Sequence, residues 1–236
     1  RILPTAVAPR TMAALPDATP YSDADAHTFE RAGAALGPYT VQILAVEALS
    51  LRANRKYSSS TVYLPATVPP QELLASIVIV PGWACSENTV SAWGSFFASH
   101  GYLAMTIGTH SPFHDLPTAR ANALLDAVEA LKEEHARSES ALEGRLDVTR
   151  FAVAGWSMGG GGCQIAALAD PSLKCVLAFA PHPGCPCTEV PDELTDTVPS
   201  LYIFGQCDPT SCPCLVRRMF RAVRAPKLLL EVRRGD

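Results

Sequence analysis

Residues 151–162 read Phe-Ala-Val-Ala-Gly-Trp-Ser-Met-Gly-Gly-Gly-Gly, and no other segment restricts the fold of the chain as tightly. A short apolar run ending in Gly155-Trp156-Ser157-Met158-Gly159 is a strand followed by G-x-S-x-G, and the small residues after it suit a helix packed closely on a sheet. A sharp strand-to-helix turn forces the serine into a strained backbone conformation, so Gly155 and Gly159 must flank it to avoid clashes. The Ser157 hydroxyl then projects above the sheet at a helix N-terminus, where the dipole favours developing negative charge. The N–H of Met158 is the expected first oxyanion donor. A glycine-rich turn with an incidental serine is the plainer alternative, but it leaves the preceding strand and the following helix unexplained. A phosphate cradle is excluded, because the Lys-[Ser/Thr] of a P-loop is absent and no G-x-G-x-x-G with an acidic partner follows the first strand.

The rest of the chain agrees with an α/β layering. Eight strands are predicted: Tyr39–Val46, Thr61–Leu64, Ile77–Val80, Leu103–Ile107, Phe151–Ala154, Val176–Ala180, Leu201–Phe204 and Leu228–Val232. The middle ones are apolar runs bounded by Gly, Pro or Asp, as in strands buried on both faces of a parallel sheet. Helices are expected over Ala119–Arg137, with Leu124, Leu125, Val128 and Leu131 on one stripe, and over Gly159–Leu168 and Leu215–Val223, the last with Arg217, Arg218 and Arg221 on its wet side. Strand–helix alternation of this kind predicts a mostly parallel sheet covered by helices on both faces. Residues 1–36 form a lead-in without sustained period, and residues 37–236 form one domain.

The chain has 236 residues, 48% of them hydrophobic and 18% charged, which is ample for one core and unlike a coiled coil or a highly charged disordered polymer. A formal net charge of −4 without a basic block lacks the footprint of nucleic-acid binding. No apolar run approaches the ~20 residues that span a bilayer, so membrane insertion is not expected. Arg1 in place of a starting Met reads as a processed or trimmed product. Eight cysteines favour an oxidising compartment and hence secretion.

Gly155-Trp-Ser-Met-Gly-Gly-Gly-Gly162, Val80-Pro-Gly-Trp83, Trp93-Gly94, Ser99-His100-Gly101-Tyr102, Thr106-Ile107 and Asp170-Pro-Ser-Leu-Lys174 together resemble the bacterial cutinase and PET-hydrolase (polyesterase-lipase-cutinase) family of the α/β-hydrolases. The likeness runs from about Gly37 to the end. It implies an α/β-hydrolase fold and a secreted, monomeric, lidless serine ester hydrolase, needing no cofactor, that works through an acyl-enzyme on large or polymeric esters. In this fold the acid and then the histidine follow the serine in the chain. Asp208, in Gly205-Gln-Cys-Asp208-Pro after the seventh strand, resembles the family's acid apart from an apparent one-residue shortening, and is otherwise an Asp-Pro turn starter. The second oxyanion donor is, by resemblance, the N–H of Trp83, whose ring would wall the acyl groove; a plain core tryptophan is the alternative. His182, in Ala180-Pro-His182, stands where polyester hydrolases commonly carry a Trp that stacks on substrate, which puts aromatic polyesters in doubt, or it is an ordinary loop histidine.

The base is absent from its expected place, since no His follows Asp208. Of the six histidines, His110, His114 and His182 follow strand ends on the site's side, yet none has the right chain position. The reading is a hydrolase truncated just before its catalytic His, with a non-catalytic binding protein on the same fold as the alternative. A dienelactone-hydrolase-type enzyme would want a Cys where Ser157 stands. Cys185-Pro-Cys187 and Cys207…Cys212-Pro-Cys214 lie after successive strands, so cross-loop disulfides are expected among these five, with a Zn²⁺ site the rival reading. Cys163 and Cys175 read as small buried residues, and Cys85 is ambiguous.

Overall fold

The structure is a computed structural model that describes residues 35–44, 55–185, 190–195 and 197–235. Most of the expected lead-in, and the end of the first predicted strand, lie outside the described residues. Eight strands form one sheet: β1 (Val41–Leu44), β2 (Ser59–Pro65), β3 (Leu74–Val80), β4 (Leu103–Gly108), β5 (Leu146–Trp156), β6 (Cys175–Phe179), β7 (Ser200–Gly205) and β8 (Lys227–Val232). Their order is β1-β2-β4-β3-β5-β6-β7-β8. β1 and β2 pair antiparallel, β2 runs antiparallel to β4, and every other pair is parallel. This is the mostly parallel, helix-covered sheet of an α/β-hydrolase.

Alternation along the strands divides the core between two faces. On β3, Val78 and Val80 join the larger cluster with Met105, Ile107, Val153, Val176 and Phe204, while Ile77 and Ile79 join a smaller one with Tyr63, Ala104 and Ala154. Helices α2 (Pro117–Ala136), α3 (Met158–Ala169) and α4 (Pro213–Ala222) supply the larger face with Leu124, Val128, Leu131, Cys163, Val216 and Met219. Helix α1 (Ser91–Ser99), preceded by a 3₁₀ turn at Glu87–Val90, covers the other face with Ala98, Trp93 and Phe97. The sequence reading had no helix at α1. Its apolar residues Trp93, Phe96 and Phe97 stand at i, i+3 and i+4, a helical spacing, but serines and a glycine between them dilute the period.

Parallel pairing brings all the site segments to one edge. Val80 is level with Gly155, Trp156 with Phe179, Phe179 with Ile203, and Gly205 with Val232. The segments after β3, β5, β6, β7 and β8 therefore emerge side by side at the carboxyl ends of the strands, where open α/β sheets place their ligands.

Candidate active site

Ser157 joins β5 to α3 with φ 55° and ψ −121°, a conformation that a side-chain-bearing residue adopts at a cost of about 1–3 kcal/mol. Its backbone is pinned: the N–H donates to Phe179 O at 2.9 Å, and the carbonyl accepts from His182 N at 2.8 Å and Gly161 N at 3.2 Å. Its half-buried hydroxyl has no protein partner among the described residues. The turn closes because Gly159 has no Cβ; one built there would lie 2.5 Å from Val80 O and 2.7 Å from Pro81 O. The segment thus holds a hydroxyl still at the head of a helix, which is the arrangement the sequence motif predicted.

Met158 is the first residue of α3, so its N–H belongs to the first turn, which has no intrahelical acceptors. The loop after β3 lies directly against the serine, since a Cβ on Gly82 would come within 2.9 Å of Ser157 Cβ. Trp83 follows, and neither its amide nor that of Met158 has a protein acceptor among the described residues. The Trp83 ring is 51% exposed rather than in the core. Its indole N–H donates to Phe113 O at 2.9 Å, and its ring meets that of Phe113 edge-on at 5.7 Å. Phe113 was not singled out from the sequence; its lone position in a polar loop gave no periodic signal.

Asp208 lies in the loop after β7, where its Oδ1 accepts from Thr210 N and Ser211 N, both at 2.8 Å. It starts the turn that an Asp-Pro pair favours, and its Oδ2 is left without a protein donor among the described residues. The two sequence readings of Asp208 are therefore compatible. The chain leaving β8 is tied to the same loop, with Gln206 N donating to Val232 O at 2.9 Å and Cys207 N to Gly235 O at 2.7 Å.

No described histidine bridges Ser157 and Asp208. His110 Nε2 is engaged with Arg55 O at 2.8 Å and His114 Nδ1 with Ser111 Oγ at 3.0 Å, while His27 lies outside the described residues. His182 is buried beside the elbow, and its Nδ1 accepts from Gly184 N at 3.1 Å. The neutral ring accordingly carries its proton on Nε2 and has no second lone pair to offer. Burial lowers the His182 pKa, and the charge of Asp208 opposes that only in part. Because the unfolded chain takes up this proton first, the group's contribution to stability is complete above a pH of about 6.5 and is lost as pH falls below it. His182→Asn should therefore flatten the fall in Tm between about pH 7 and pH 5, read by thermal melts across that range.

The cysteines differ from the cross-loop expectation. Cys212 is bonded to Cys214 inside one loop, at the head of α4, while Cys185 and Cys207 carry free thiols and Cys187 lies outside the described residues. The rival zinc site also lacks a ligand set, since no three His, Cys, Asp or Glu side chains converge among the described residues. Pro213 at the first position of α4 directs the chain into the helix, and the adjoining Sγ of Cys212 accepts from Cys214 N at 3.4 Å, so the two cysteines face one another locally. Cys163 is fully buried, which raises its thiol pKa well above the ordinary value, and Cys175 and Cys85 are half-buried. A bridge closing so short a loop contributes only about 1.5 kcal/mol in the chain-entropy account. Reductant should accordingly lower Tm by no more than about 3–6 °C, measured against the unreduced protein.

Comparison with known proteins supplies the context for this geometry. The family model described as PET hydrolase-like matches residues 16–230. A lipase 1 of Moraxella sp. (strain TA144) is 30% identical over 149 residues, 62% of this chain and 43% of its own length. A bis(hydroxyethyl) terephthalate hydrolase of Streptomyces coelicolor is 32% identical over 162 residues, 69% of this chain and 49% of its own. Cutinase 1 of Thermobifida cellulosilytica is 31% identical over 164 residues, 70% of this chain and 59% of its own. The chain spans about half the length of these relatives.

Proposed function

The chain belongs to the PET hydrolase-like family, and from that premise we propose that it acts as a serine carboxylic-ester hydrolase of cutinase type through an acyl-enzyme. The observation that carries this reading is the strained Ser157, held at the head of α3 with its hydroxyl unengaged. Ser157 Oγ attacks the acyl carbon, and the carbonyl oxygen, now an oxyanion, receives N–H donors from Met158 and Trp83. The serine proton passes to an imidazole, which returns it to the leaving alcohol; water then clears the acyl group by the same route reversed. Asp208, with one oxygen fixed by its turn and the other open, orients and stabilises the imidazolium. The imidazole comes from the segment that follows β8, a reading supported by the bond between Gly235 O and Cys207 N beside the acid.

Large or polymeric esters are the proposed substrates, with the exposed Trp83 ring as one wall of the groove. The relative named a cutinase favours that class, while the one named a bis(hydroxyethyl) terephthalate hydrolase favours an ester substrate without setting its size. His182 has its ring buried, which offers little surface for stacking on an aromatic acid. Secretion is supported by the Cys212–Cys214 bond, which persists in oxidising surroundings. No helix among the described residues is long and apolar enough to cross a membrane. The enzyme is proposed to act as a monomer, without cofactor, at a dissolved ester or a polymer surface. A fluorophosphonate probe tests the reading on the full-length protein: labelling mapped to Ser157 is the expected result, and an unlabelled protein would instead favour a non-catalytic binding role.

A further inference from the structure

Arg120 of α2 is fully buried, and its guanidinium joins two loops, one of which lies against the serine. One Nη donates to Pro81 O at 3.0 Å and the other to Pro112 O at 3.0 Å. Pro81 opens the loop that carries Gly82 and Trp83. Pro112 O also accepts from Ala84 N at 3.0 Å, and Ala84 holds a positive φ of 59°, so the peptide just after Trp83 is fixed in a conformation that alanine alone disfavours. Both sides of Trp83 are thus tied, directly or through one carbonyl, to a single side chain.

A buried cation is costly unless it is paired. Among the described residues Arg120 makes no ion pair, and its Nε has no partner. Asp115 acts on it only through its field, and one oxygen of that carboxylate is occupied by Ser111 N at 2.8 Å. The other ionisable group that acts on it is the half-buried thiol of Cys85. A leucine on this stripe would avoid that cost, and the two carbonyl bonds of the fork are what offset it here.

We propose that Arg120 is a positioning residue for the oxyanion hole, clamping the Pro81 and Pro112 carbonyls so that the Trp83 amide faces the space above Ser157. The inference rests on the reading of Trp83 as an oxyanion donor. Lysine cannot replace it, because a single ammonium lacks the rigid fork that spans two carbonyls on separate loops.

In the full-length protein, Arg120→Lys should lower kcat on p-nitrophenyl butyrate by about 10²-fold, comparable to loss of one oxyanion donor, with KM little changed. The second readout is the amide proton shift on phosphonylation of Ser157. In the unsubstituted protein the Trp83 and Met158 amides should both move downfield, and in Arg120→Lys the Trp83 shift should shrink while that of Met158 stays. An unsubstituted protein whose Trp83 amide does not respond removes the donor reading itself. A full Trp83 response together with full kcat in Arg120→Lys overturns the role of Arg120 and leaves the donor reading standing. Phe113→Ala keeps the test decisive if Arg120→Lys fails to fold: it trims an exposed ring but keeps the carbonyl that holds the indole. The Trp83 response should survive it, and its loss there would assign the positioning to the aromatic pair instead.

Discussion

Ser157→Ala should lower kcat on short p-nitrophenyl esters by about 10⁶-fold in the full-length protein, the scale on which a serine hydrolase loses rate with its nucleophile. The fold should be untouched. The hydroxyl has no protein partner among the described residues, so its removal leaves no buried group unsatisfied and should change stability by less than about 0.5 kcal/mol. Ser157→Gly sharpens the prediction. Alanine inherits the strain of φ 55°, whereas glycine adopts that region freely, so the glycine variant should be equally inactive yet melt higher than the alanine variant by about 1 kcal/mol of stability. Nitrophenolate release and thermal melts on the three proteins decide it. Undiminished turnover in either variant would remove Ser157 from the chemistry, and a glycine variant no more stable than the alanine one would remove the strain.

The elbow was legible because its chemistry is local. A strand, a tight turn and a helix over twelve residues leave their demand for small residues in consecutive positions. The middle strands were legible for a related reason, since a strand buried on both faces must be a continuous apolar run between breakers. Arg120 was missed although a signal existed. It stands at i relative to Leu124, Ala127 and Leu131, at i+4, i+7 and i+11, on the same buried stripe of α2. A charged residue in register with a buried stripe is a prompt to ask what it binds, but its partners are carbonyls 39 and 8 residues away, which no local pattern encodes. The cysteine pairing was equally hidden. Loop adjacency made cross-loop bonds reasonable, but the two cysteines of one Cys-Pro-Cys meet across α4's first turn, a matter of backbone direction rather than spacing.

On the proposed assignment of the base to the segment after β8, His182→Ala should leave most of the esterase rate in the full-length protein. A neutral serine needs a base within hydrogen-bond reach, and two imidazole sources compete for that role. His182 is nearer in the chain to the elbow, with its own amide bonded to Ser157 O, but its lone pair is engaged by Gly184 N and its remaining nitrogen bears the proton. To accept from Ser157 it would have to break that bond and turn over inside a buried site. The segment after β8 needs no such rearrangement, because Gly235 already lies against Cys207, one residue from Asp208 and its open oxygen. A protein limited to residues 1–236 should therefore retain only the oxyanion and binding contribution, about 10³–10⁴-fold over water. The full-length protein should show kcat/KM rising with pH through an imidazole pKa near ~6.5. Measuring kcat/KM for both lengths, each with and without His182→Ala, separates the sources. If residues 1–236 match the full-length protein and lose their activity on His182→Ala, the ring of His182 does turn over, and the base lies on the β6 side of the acid rather than beyond β8.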